Sequence, residues 1–158
     1  IAHSMGNQLL LPVLKDLQRN APPELNISQV ILAAPDVDRD NFELLAKEIV
    51  GVSKGVTLYA AANDRALMVS RSFWGDVPRA GDVPSATGPV VVDGIDTIDV
   101  TKTSTEIFSL GHNGFAEKTA LLNDIKALVL TGLRPPEKRF NVLTIEKTTA
   151  GGTYWRYP

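Results

Sequence analysis

A chain of 158 residues with 44% hydrophobic and 22% charged side chains has the size and composition of one soluble globular domain. Its formal net charge of −2 gives no electrostatic attraction to nucleic acid or an anionic membrane, and no apolar run approaches the ~20 residues that span a bilayer. The lack of cysteine excludes disulfides, thiol catalysis and cysteine-based zinc sites, and it leaves cytosol and periplasm equally open.

The chain opens on Ile1-Ala2-His3-Ser4-Met5-Gly6, and Leu9, Leu10, Val13, Leu14 and Leu17 then recur at helical spacing. Asn20-Ala21-Pro22-Pro23 ends that helix, and Pro12 inside it predicts a kink or a tightened first turn. The apolar run from Ile27 to Ala34 predicts a strand buried on both faces. A helix follows from Asp40 to about Val50, with Phe42, Leu44, Leu45 and Ile49 for its buried stripe. Val56 to Ala62 repeats the strand signature, then Asn63-Asp64 and a helix from Arg65 to about Phe73.

Prolines and glycines crowd Gly75 to Gly94, which predicts a loop excursion able to supply part of an acyl or lid surface. Ile95 to Val100 is the next strand. A loop carries the chain to His112, and Phe115 to Leu130 forms a long amphipathic helix stopped by Gly132 and Pro135-Pro136. The tail holds one weak strand, Asn141 to Glu146, before a Thr/Gly/aromatic end. Residues 1–134 therefore read as an α/β core and 135–158 as a C-terminal tail. Strand–helix alternation implies a mostly parallel sheet with helices on both faces, and reactive residues gather at the carboxyl ends of its strands.

Ser4, Asp64 and His112 occupy such positions. Ala2-His3-Ser4-Met5-Gly6 is a variant of the G-x-S-x-G elbow, with alanine at the first glycine position. Small residues flank the serine because strand and helix meet there in a sharp turn. The first helical turn then aims N–H groups at a developing oxyanion, and the Met5 N–H is the natural first donor. A bland reading stays open: a small-residue strand-to-helix turn without chemistry.

A nucleophilic serine needs a base, and the chain has two histidines. His3 adjoins Ser4, where successive side chains diverge, so elimination leaves His112 in the loop Gly111-His112-Asn113-Gly114. The acid precedes the histidine in such folds. Asp64 is preferred because its strand is nearer the histidine loop; Asp36, after the preceding strand, is the alternative acid. Either aspartate could instead cap a helix.

Four segments carry a family likeness: Ile1 to Asn7, Leu32-Ala33-Ala34-Pro35-Asp36-Val37-Asp38, Tyr59 to Leu67, and Gly111-His112-Asn113. In that order they resemble a bacterial α/β-hydrolase family described as domain of unknown function 900, over roughly residues 1 to 132. The resemblance implies the C-terminal portion of an α/β-hydrolase fold with a Ser4–Asp64–His112 triad. It implies an ester or related small acyl substrate and no metal or organic cofactor.

Two departures from that family stand out. Pro12 sits where a helix former is expected. Family members also carry about half of the fold before the elbow, including the loop with the second oxyanion N–H. A sheet built from this chain alone is thus expected to have three or four strands and an exposed edge. The competing expectation is a catalytically incompetent fragment that associates with a missing N-terminal half or with itself as a homo-oligomer.

Overall fold

The computed structural model describes residues 1–62, 77–102 and 115–158. Asp64, His112 and the helix expected over 65–73 lie outside these residues. A six-stranded sheet organises the rest, in the order β1-β2-β3-β4-β6-β5. Its strands are β1 (Ala2–His3), β2 (Ile27–Ala33), β3 (Ser53–Ala60), β4 (Ile95–Asp99), β5 (Thr144–Lys147) and β6 (Thr153–Arg156). The helices are α1 (Gly6–Asn20), α2 (Arg39–Ile49) and α3 (Phe115–Thr131). None of the helices in the described residues is long and apolar enough to cross a membrane.

The continuous apolar runs became central parallel strands because helices cover both sides of the sheet. Val30 aligns with Val56 and Leu32 with Leu58, and all four pack towards Leu11 and Leu14 of α1 and Phe42, Ala46 and Ile49 of α2. The alternate residues Ile31, Tyr59 and Ile98 enter a second core with Leu121 and Leu128 of α3. The period of two along each strand thus divides one apolar run between two cores.

Three helix expectations need correction. Leu9 and Val13 of the predicted α1 stripe are exposed, and Leu11 takes their place in the core. Leu44 of α2 also faces outward. Helix α3 is not cleanly amphipathic: Leu122, Val129 and Leu130 are exposed, while Asp124 is fully buried. Pro12 does not end α1, which runs from Gly6 to Asn20 through it. The first turn of α2 is set by Asp38, whose side chain accepts the Asn41 N–H at 2.8 Å, an N-cap two residues before the expected start.

The excursion expected after β3 holds for residues 77–94, which contain no strand or helix. Their regular feature is an antiparallel bridge between Asp38 and Arg79. They still pack closely, because Ala80, Val90 and Val92 belong to the core shared with α1 and α2.

The tail differs most from expectation. It adds two strands to the sheet, so six form rather than three or four, and β6 pairs parallel with β4. β5 folds back antiparallel on β6 through a turn where Thr148 N–H donates to Gly152 O at 2.9 Å. Tyr157, just past β6, is buried in the second core.

Candidate functional site at the carboxyl edge of the sheet

Parallel strands put the ends of β1, β2, β3 and β4 along one edge of the sheet. Ser4 lies in the turn between β1 and α1, and its φ of 50° is in the left-handed region. A non-glycine residue there costs about 1–3 kcal/mol, and such strain gathers at functional turns. Ala2 and Gly6 explain how so sharp a turn fits. A Cβ built on Gly6 would sit 3.8 Å from the Ala2 Cβ, in ordinary contact, so the turn has room for a Cβ there and does not demand a glycine pair.

Hydrogen bonds hold the turn in place. Ser4 N–H donates to Ala33 O at 3.0 Å. The Ser4 carbonyl accepts from Asn7 N–H at 3.1 Å, from the Asn7 carboxamide Nδ2 at 2.9 Å and from Asp36 N–H at 3.2 Å. Gln8 Nε2 donates to Asp36 O at 2.7 Å, which fastens the next loop to the first turn of α1. Helix α1 has no side-chain N-cap and no acidic residue in its first turn. Among the described residues, the Met5 N–H has no hydrogen-bond partner. Unpaired N–H groups at a helix start suit an incoming oxyanion.

The loop after β2 is itself unusual. Ala34 has a φ of 41°, and its N–H donates to Tyr59 O at 2.8 Å. Gly81 lies against it so closely that a Cβ would come within 2.5 Å of the Ala34 carbonyl carbon. Gly81 N–H donates to Pro35 O, and Gly81 O accepts from Ala61 N–H. Ala62 N–H then donates to Thr101 Oγ1 at 2.8 Å, beyond the end of β4. The four strand ends are therefore laced together laterally. Asp64 and His112 come after these ends in the chain and lie outside the described residues.

Asp36, the alternative acid, is buried and forms an ion pair with Arg79 at 3.2 Å. Arg79 is buried too, and sequence reasoning missed it because it lies in a proline- and glycine-dense stretch far along the chain. Asn7 was missed as well: a single asparagine in a helix start carries no signal until its partners are seen. One helical turn from Ser4, a cavity of about 300 Å³ opens between α1 and α2, lined by Gln8, Leu11, Pro12, Val37, Leu45 and Arg79 among others.

Residues 1–131 match the family model described as "Alpha/beta hydrolase of unknown function (DUF900)". No curated protein and no solved structure matches the chain. The match covers well over half of the chain, and the chain belongs to this α/β-hydrolase family. Membership, together with the mostly parallel sheet, supports a hydrolase of α/β fold.

Proposed function

We propose that this chain is a serine hydrolase of small ester or related acyl substrates, with Ser4 as nucleophile, His112 as base and Asp64 as the acid that orients it. The observation that carries this reading is the strained Ser4 turn, a left-handed serine between a parallel strand and a helix start. Ser4 Oγ attacks the substrate carbonyl carbon while His112 accepts its proton. The Met5 N–H faces the negative charge that collects on the carbonyl oxygen. Collapse expels the alcohol, which takes the proton from His112. Water, deprotonated by the same histidine, then cleaves the acyl-enzyme and restores the serine.

The choice of Asp64 over Asp36 rests on what each aspartate has to do. Asp36 is already engaged in a buried ion pair with Arg79, and breaking a buried pair is costly. Asp64 follows β3 in the chain, and β3 pairs with β4, the strand that precedes His112 in the chain. The apolar part of the α1–α2 cavity, Leu11, Val37 and Leu45, suits a short acyl chain.

Labelling with a fluorophosphonate probe tests the reading. Wild type is expected to label covalently, Ser4→Ala not at all, and His112→Ala and Asp64→Asn far more slowly. Labelling that persists in Ser4→Ala would falsify the assignment of the nucleophile.

A second reading, association with itself or with a further polypeptide, has its own support. Ile1, Met5, Leu9 and Val13 are exposed beside β1, which forms one edge of the sheet. Sedimentation velocity at several concentrations checks it; a monomer throughout, with no second polypeptide by intact-mass spectrometry, removes it.

A further inference from the structure

The Asn7 side chain is fully buried at the foot of the Ser4 turn. Its Nδ2 donates to Ser4 O at 2.9 Å and reaches Ala33 O at 3.4 Å. Both partners are carbonyl oxygens, so the amide can face them only with its NH2 group, and both hydrogens are used. The opposite end of the carboxamide, Oδ1, is buried without a hydrogen-bond partner. A buried acceptor left unpaired costs more than an average hydrogen bond returns. A leucine or alanine would avoid that cost but would leave the Ser4 carbonyl without the Nδ2 donor.

What Nδ2 holds is one end of a rigid unit. The Ser4 carbonyl and the Met5 N–H belong to the same planar trans peptide and point in opposite directions. Three donors converge on that carbonyl: the Asn7 main chain, the Asn7 side chain and Asp36 N–H. Fixing the carbonyl fixes the aim of the Met5 N–H on the far side. It also resists relaxation of the Ser4 φ from 50° back to negative values, which would swing Oγ away.

We propose that Asn7 is a positioning residue: its carboxamide ties the Ser4 carbonyl to the end of β2, and so holds both the serine Oγ and the Met5 N–H in their reactive directions. This rests on the reading of Ser4 as the nucleophile. Asn7 touches no reacting atom, and its effect is expected in the transition state, where the oxyanion forms, rather than in ground-state binding.

The test uses the full chain and two variants, Asn7→Ala and the isosteric Asn7→Asp, which replaces both donors with acceptors. Hydrolysis of p-nitrophenyl acetate and butyrate and the rate of fluorophosphonate labelling are measured well below each variant's melting temperature. Expected is a fall in kcat of about tenfold to a hundredfold, the scale of a small misplacement of catalytic groups. KM should stay within about twofold, since ground-state binding is not at issue. The pH midpoint of kcat should not move, because the base is untouched. A merely structural asparagine would lower the melting temperature and leave kcat per folded molecule intact, which overturns the proposal. A raised KM with unchanged kcat overturns it too, as does failure of both variants to fold. Variants labelling as fast as an active wild type defeat the role of Asn7 alone. A wild type that takes up no probe defeats the nucleophile reading, and the Asn7 role with it.

Discussion

Two buried polar networks sit on opposite sides of this sheet, and they are built to different ends. At the strand ends, Ser4, Asn7, Ala34, Asp36 and Arg79 combine two left-handed residues, an unpaired Asn7 oxygen and a buried ion pair. Under α3, Asp124 accepts Tyr59 Oη at 2.6 Å and Arg139 Nε at 2.8 Å, and both of its oxygens are engaged. Arg139 also donates to Leu133 O at 3.1 Å. The second network has no strained backbone and no orphaned atom among these groups. It fastens β3, α3 and the tail to one another and faces no solvent. Of these two networks, the one around the candidate nucleophile carries local cost, and the one under α3 is fully paired.

The sharpest way to break that comparison is Asp124→Ala. Removing the carboxylate strands a guanidinium whose side chain is 1% exposed, and breaking such a pair typically costs about 3–5 kcal/mol. For a chain of this size that is roughly a 10 °C fall in melting temperature by calorimetry. Fluorophosphonate labelling per folded molecule should hardly change. A fall of only a degree or two would mean that this network does not fasten β3, α3 and the tail together.

Alkaline pH gives the next largest effect. Burial, reinforced by the Asp124 charge, pushes the Tyr59 hydroxyl well above its ordinary value of 10.0. Burial and the same carboxylate raise Tyr157 as well. Above pH 10 the unfolded chain releases these protons while the native state keeps them, so the unfolded state binds fewer. Stability is therefore full below pH 10 and falls as pH climbs towards the raised native values, by up to about 1.4 kcal/mol per pH unit for each tyrosine. Tyr59→Phe should make that decline shallower in urea titrations between pH 9 and 11. An unchanged slope would show that Tyr59 is not held neutral.

The smallest effect probes the strained side. Ser4→Gly removes the left-handed penalty and should raise the melting temperature by a few degrees, about 1 kcal/mol, while abolishing labelling. Gain of stability with loss of labelling would sharpen the contrast between the networks. A glycine variant less stable than wild type would mean the Ser4 conformation carries little strain.

Much of the architecture was legible from the sequence, for reasons that also explain the rest. The central strands announce themselves because burial on both faces demands continuous apolar runs, as in Val30-Ile31-Leu32. β6, with Thr153-Tyr154-Trp155-Arg156, was not read as a strand: its neighbour β4 is more than fifty residues away, and its polar members pair with distant groups such as Asp99. Asp124 interrupts an apolar face because its partners, Tyr59 and Arg139, come from other elements. At the candidate site, the serine and its small neighbours form a local pattern and were readable. Asn7 and Arg79 were not, since each matters only through contacts that folding creates.

The tail has a consequence for the order in which the molecule comes together. Tyr157, in the last residues of the chain, fills the core beneath Tyr59 and Leu128, and its N–H donates to Asp99 O at 3.0 Å. A nascent chain can lay α1 and α2 against β2 and β3 as soon as those segments are made. The opposite half of the interior must wait until Tyr157 has been made. Synthesis from the N-terminus therefore builds the two cores in sequence, with an interval in which one is closed and the other still open to water.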